Sequence, residues 1–279
     1  MKNKATLLVT TDFSTNSKAG IRFALQLATQ MDCKLVYYHA LEFMTPLAWR
    51  EDRATAFTQR QIQKGQKELE GFLKGIYKQA KIPFKGYDYA VEVGMDVDKK
   101  VIEYAKKINA HFICMSTRGA GVLKKFIGTN ASTLIGTSPI PVIVVPKNYR
   151  MKPITKVAYA SDFENIDPEL TTVKGFAEVL KAPVDVYHFH YKVHETTNKA
   201  VFKGIIDKYQ SKKVAIHVPP IFLEYSLIDN LQLTIKKEKP SILVMFTKEK
   251  HNWLERFFIE SRTADMTYNI KIPLLAIRK

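Results

Sequence analysis

The chain has 279 residues, 46% hydrophobic and 11% aromatic, which is apolar material enough for the cores of about two ordinary domains and too much for a disordered polymer. A formal net charge of +16 raises nucleic acid as a partner, but the excess is spread along the chain. Residues 1–150 carry 23 Lys and Arg against 12 Asp and Glu, residues 151–279 carry 20 against 15, and no recognition motif accompanies them, so nucleic acid is not expected.

Met1 to Thr6 run straight into Leu7-Leu8-Val9 without a charged and apolar leader, and no apolar run approaches the roughly 20 residues a bilayer requires; the expected address is cytoplasmic, with no membrane partner. Cys33 and Cys114 lack the paired spacing of a zinc site or disulfide and read as buried thiols.

In chain order, strand-like runs fall near 6–11, 34–40, 85–91, 111–116 and 141–146. Runs such as Phe112-Ile113-Cys114-Met115 and Val142-Ile143-Val144-Val145 are apolar throughout, as strands covered on both faces must be. Between them lie helical patterns: 17–31, with Ser14 available as a cap, then about 55–81 and 96–109. Met151-Lys152-Pro153 reads as a linker, and strands follow near 155–160, 184–189, 214–218, 241–246 and 272–277.

The second series repeats the first. Leu7-Leu8-Val9-Thr10-Thr11-Asp12-Phe13 is echoed by Val157-Ala158-Tyr159-Ala160-Ser161-Asp162-Phe163, Val36-Tyr37-Tyr38-His39 by Asp185-Val186-Tyr187-His188, and Ile140-Pro141-Val142 by Ile272-Pro273-Leu274. The shrinking offset makes the second unit shorter, mainly after its second strand. The expected fold is α/β, two tandem doubly wound, mainly parallel five-stranded domains at 1–150 and 151–279. Val142–Val145 and Leu274–Ile277 would be exposed apolar edges unless they pair with each other.

Open parallel sheets bind ligands beyond the carboxyl ends of their strands. Asp12 lies there, directly after the first strand, where a carboxylate accepts hydrogen bonds from a ribose or a base, or else caps the helix with Ser14. After the fourth strand, Ser116-Thr117-Arg118-Gly119-Ala120-Gly121 continues to Gly128-Thr129-Asn130, glycines that permit close backbone approach ahead of a helix whose amides would cradle phosphates.

The Asp after the first strand, the glycine loop after the fourth, and a helix leading to Pro-Val-Ile-Val-Val together resemble the universal stress protein family, once per unit. Nucleotide-binding members space the loop as Gly, two residues, Gly, nine residues, then Gly and Ser or Thr. Here Ser116 stands at the first Gly, Gly119 at the second, and Gly128-Thr129 at the last pair, with one intervening residue fewer. The resemblance implies that Thr11 and Asp12 meet the sugar or base and the backbone of Ala40 reads the adenine edge. Met115 and Ser116 border the site, and Gly119, Gly128, Thr129 and Asn130 hold phosphates, with Arg118 or Lys124 adding charge. The ligand would be ATP or AMP, with or without Mg2+, and occupancy would alter the surface shown to a protein partner under stress. Internal pairing of the two units would mimic the family's homodimer and leaves further dimerisation open. A rival reading is a stress-responsive scaffold whose pockets have decayed and bind no nucleotide.

The second unit keeps Ser161-Asp162-Phe163, but its loop region begins Phe246-Thr247-Lys248-Glu249 and holds no glycine through Ser261. Phe246 would obstruct the pocket floor, and Glu249 and Glu260 would repel polyphosphate. Trp253, Phe257 and Phe258 at helical spacing read as packing. Of seven histidines, His188 and His190 would share a strand face and, with His194, raise a metal site, although no carboxylate or cysteine of suitable spacing joins them. Neither a Gly-x-Ser-x-Gly elbow nor a Walker loop occurs and no general base accompanies Asp12, so no catalytic residues are assigned and the protein is not expected to be an enzyme, with slow ATP hydrolysis in the first unit left open.

Overall fold

The structure is a computed structural model that describes residues 4–84, 87–117, 129–190, 195–222, 224–247 and 272–279. Its strands are β1 (Ala5–Thr10), β2 (Cys33–Leu41), β3 (Asp88–Val93), β4 (Phe112–Ser116), β5 (Val142–Val145), β6 (Val157–Ala160), β7 (Val184–Tyr187), β8 (Val214–His217), β9 (Ile242–Thr247) and β10 (Leu274–Arg278). The helices are α1 (Lys18–Gln30), α2 (Glu51–Ala80), α3 (Val97–Lys107), α4 (Thr129–Thr137), α5 (Ile166–Val179), α6 (Glu195–Tyr209) and α7 (Leu227–Glu238).

All ten strands form one sheet in the order β3-β2-β1-β4-β5-β10-β9-β6-β7-β8. Each five-strand half is parallel and places its first strand at the centre. The halves meet where β5 and β10 run antiparallel, with Val144 opposite Leu274 and Val142 opposite Ala276. That seam is the pairing expected of two apolar edges, because each removes the other's unpaired backbone from water.

Side chains alternate between two cores because successive strand residues point to opposite faces. Leu7, Val9, Ile143 and Val145 meet α1, α2 and α5 on one face, while Leu8, Val142 and Val144 meet α3, α4 and α7 on the other. The connection after β5 is also fastened. The Gln30 side chain donates to the Ile154 carbonyl at 2.9 Å and accepts the Ile154 amide at 2.7 Å, and Tyr149 packs edge-on against Phe23.

Several sequence expectations shift in detail. The third strand begins at Asp88 rather than 85, and α2 starts four residues before its expected 55, with Glu51 and Asp52 in its first turn, where the helix dipole favours anions. β7 ends at Tyr187, so His188 and His190 lie in the segment beyond the strand, where both rings pack against Phe202. Cys114 is buried as expected, but Cys33 at the start of β2 is only partly so, and its burial with Asp32 nearby pushes the thiol up to about 11. The second half is shorter at the expected place, since α6 has 15 residues where α2 has 30. Trp253, Phe257 and Phe258 lie outside the described residues.

Candidate functional site

The residues after β1 form a tight left-handed turn rather than running directly into α1. Phe13 has φ of 62°, a conformation that costs a non-glycine residue energy and persists only where its surroundings impose it. Three contacts do so. The Phe13 amide donates to Thr11 Oγ1 at 3.1 Å, the Ser14 amide donates to Asp12 Oδ1 at 3.0 Å, and the Phe13 ring lies 4.1 Å from the His39 ring. His39 closes the arrangement from the neighbouring strand: its Nδ1 is 2.8 Å from the Thr11 carbonyl, which can only accept, so Nδ1 carries the hydrogen. Phe72 of α2 packs edge-on against Phe13 from the other side.

The same construction recurs after β6. Phe163 has φ of 64°, its amide donates to Ser161 Oγ at 3.1 Å, and the Glu164 amide donates to Asp162 Oδ1 at 3.0 Å. The Phe163 ring stacks on His188 at 4.1 Å, the His188 Nδ1 meets the Ser161 carbonyl at 3.0 Å, and Phe202 of α6 stands where Phe72 does. The sequence echo of hydroxyl residue, Asp and Phe is therefore a repeated device that holds a carboxylate at the carboxyl end of the central strand of each half.

The elements around the first turn make much of their polarity internal. Thr11 is buried, and its hydroxyl is 2.9 Å from Ser17 Oγ in addition to accepting from Phe13, so the side chain shapes the turn. Ser14 caps the turn before α1, accepting the Ser17 amide at 3.1 Å. Within the first turn of α1, the Gly20 amide donates to Ser116 Oγ at 2.9 Å. The serine at the loop's first glycine position is thus buried and serves as a helix cap supplied from β4. Gly20 permits this approach, because a Cβ there would lie 3.1 Å from the Met115 carbonyl carbon and 3.2 Å from the Ser116 nitrogen. Backbone atoms have nowhere to retreat at such distances.

Of the other residues singled out from the sequence, Ala40 and Met115 are partly buried against the core of the α3, α4 and α7 face, near the ends of β2 and β4. Thr129 opens α4 and Asn130 follows, half-exposed, in its first turn. Thr11, Asp12, Ala40, Met115, Ser116, Thr129 and Asn130 accordingly all fall at strand ends or helix starts of the first half. Arg118, Gly119, Lys124 and Gly128 lie outside the described residues, as do His194 and the second-half loop from Lys248. Among the described residues no group of three or more His, Cys, Asp or Glu side chains is placed to hold a metal ion, and no helix is long and apolar enough to cross a membrane.

Two features were not foreseen. A groove of about 420 Å³ opens on the α1 and α2 face beside Phe13, lined also by Lys18, Phe72, Gly75 and Gln79, and none of the residues assigned to the nucleotide from the sequence lines it. Asp98, in the first turn of α3, has Oδ1 buried without a hydrogen-bond partner among the described residues. Burial pushes its carboxyl up to about 6 against a hydrogen bond from Thr133 of α4, with Asp96 and Glu42 adding to the rise. Neither the burial of a carboxylate nor a groove between two helices leaves a mark in sequence, because both arise only when separate elements pack.

With this geometry in hand, comparison with known proteins decides the family. The sequence profile of the Universal stress protein family matches residues 5–146. The chain belongs to that family of stress-response proteins. Among solved structures, a universal stress protein from Archaeoglobus fulgidus shares the fold with a TM-score of 0.67 and 14% identity, over 98% of this chain and 98% of the other. A functionally unknown protein from Pseudomonas aeruginosa PAO1 does so with a TM-score of 0.60 and 15% identity, over 99% of this chain and 92% of the other. No curated protein sequence matches the chain. The relatives of known structure thus carry the fold over nearly the full length of this universal stress protein, including the half beyond residue 146.

Proposed function

We propose that this universal stress protein binds one adenine nucleotide, ATP or AMP, in a domain formed by residues 1–150, and that residues 151–279 form a second domain of the same plan that serves as a partner to the first rather than as a second binding site. The observation that carries the reading is the Thr11-Asp12-Phe13 turn: a left-handed Phe, braced by His39 and Phe72, holds a half-exposed carboxylate at the carboxyl end of the central strand, where an open parallel sheet receives its ligand. In this reading Asp12 meets the ribose or base and Ala40 offers backbone to the adenine edge. Gly119, Gly128, Thr129 and Asn130 take the phosphates, the last two in the first turn of α4, where helix amides favour anions. Mg2+ would accompany ATP through its phosphates, since no metal-ligand cluster occurs among the described residues. No catalytic step is assigned. Occupancy would change the surface around the start of α4 and so the response of a protein partner in the cytoplasm.

Ser116 favours a second reading, a scaffold that binds no nucleotide, because the side chain at the loop's first glycine position is committed to capping α1. Calorimetric titration of nucleotide-stripped protein with ATP and AMP, with and without Mg2+, separates the two. One nucleotide per chain, lost in both Asp12→Ala and Gly128→Glu, supports binding; no heat at millimolar ligand leaves the scaffold.

A further inference from the structure

The duplicated carboxylates differ in what surrounds them. In the first half, Val9 precedes Asp12 in β1 and Ala19 follows it in α1, both fully buried and apolar. At the corresponding places of the second half stand Tyr159 and Glu169, 150 residues on in each case. Glu169 is a carboxylate almost without exposure, 6% for its side chain, in the first turns of α5. A buried carboxylate requires a partner, since the cost of removing it from water is several kcal/mol. It has two: the Tyr159 hydroxyl donates to Oε2, and Lys279 Nζ lies 3.0 Å from Oε1. The same ammonium donates to Asp162 Oδ2 at 2.7 Å, and the Lys279 side chain is itself only 14% exposed.

Strand register identifies the counterpart of Lys279 in the first half. Ser116 lies opposite Val145 in β4 and β5, and Phe246 opposite Ile277 in β9 and β10, so Lys147 and Lys279 occupy equivalent positions two residues farther on. Lys147 is exposed. Lys279 instead continues the β10 ladder, donating its amide to the Thr247 carbonyl at 2.9 Å, and folds its side chain back over the end of β6. Burial alone would lower the ammonium's affinity for its proton, but the contacts with Asp162 and Glu169 outweigh it and raise the pKa above the ordinary lysine value.

We propose that Lys279 is the specificity-determining residue that restricts ligand binding to the first half, by placing its own ammonium on Asp162 where a ligand hydroxyl would otherwise bind. This deepens the nucleotide reading and rests on it for the identity of the excluded ligand, but the closure of the second pocket stands on the contacts alone. Glu169 and Tyr159 hold the ammonium in place. A neutral ribose hydroxyl would have to displace a cation bound by two carboxylates, an exchange that charge-assisted hydrogen bonds disfavour.

The test is competitive acetylation of the full-length protein, read lysine by lysine by mass spectrometry, beside nucleotide stoichiometry. Lys279, whose ammonium is held by two carboxylates, should acetylate severalfold more slowly than Lys147, and Asp162→Asn should speed Lys279 severalfold while leaving Lys147 unchanged. Equal rates at the two lysines in the unaltered protein would overturn the closure, and so would two nucleotides bound per chain. If no nucleotide binds at all, the nucleotide reading fails and the acetylation ratio still decides whether Lys279 closes the pocket.

Discussion

Ser116 of β4 and Gly20 of α1 are joined by a 2.9 Å hydrogen bond across 96 residues of sequence, the hydroxyl accepting an amide that the helix itself leaves unpaired. Removing the oxygen strands a buried donor. Ser116→Ala should therefore destabilise the protein by about 1–2 kcal/mol in urea denaturation, the usual cost of a lost cap or an unsatisfied buried amide. Nucleotide affinity of the folded variant should stay within about twofold, because that hydroxyl faces α1.

The same close approach makes Gly20 intolerant of a methyl group. Alanine is normally the better helix residue, yet Gly20→Ala would set its Cβ against the backbone of Met115 and Ser116. We expect destabilisation of about 1–3 kcal/mol, the usual cost of overpacking. Gly71→Ala, on α2 where an added Cβ meets nothing within 4 Å, should stabilise by up to about 1 kcal/mol in the same assay.

Asp98 should impose a pH dependence of unusual sign. Its folded carboxyl is raised to about 6 from an ordinary 3.8, so between those values the native state holds a proton that the unfolded chain has released. Stability contributed there is present at low pH, is lost as pH rises towards 6, and stays lost above it. Asp98→Asn should abolish the decline and be more stable than the parent at pH 8. The gain should be on the order of 1 kcal/mol, reduced from the full shift because the group is about half-exposed and screened. Equal stability of the two proteins at pH 5 and 8 would show that Asp98 is not raised.

His188 should act in the opposite direction. Burial is the largest cause of its lowered pKa, helped by His190 and opposed by the Ser161 carbonyl and Asp162. As pH falls through 6.5 the unfolded chain takes up the proton first, so stability falls with acidity until the folded ring is also charged. In His188→Gln, which keeps a side-chain donor for the Ser161 carbonyl, urea denaturation between pH 7 and 5 should show a shallower loss. An unchanged slope would assign the acid sensitivity to another group.

Much of the architecture was legible because it is written in local pattern. The apolar runs of β4 and β5, the helical spacing of α1, and the Asp-Phe echo at 12–13 and 162–163 each depend on residues within one or two elements, where side-chain period and backbone geometry act directly. The seam between β5 and β10 was legible for another reason: an apolar edge must be covered, and the chain offers two of them. Ends of elements were less so. β7 ends at Tyr187 and leaves His188 beyond it, whereas His39, with the same contacts, lies inside β2, and no periodicity encodes that difference.

The sequence by itself determined that this universal stress protein has a twice-wound parallel sheet, and it placed a carboxylate at the end of each central strand. Only the tertiary structure decided how the copies differ. Ser116 is a helix cap because β4 brings it to Gly20, and Asp162 is ion-paired because β10 brings Lys279 to it across 117 residues of sequence. Period and propensity are set by neighbours in the chain, whereas a cap or an ion pair supplied from a distant strand exists only once strand register has placed both partners within about 3 Å of each other.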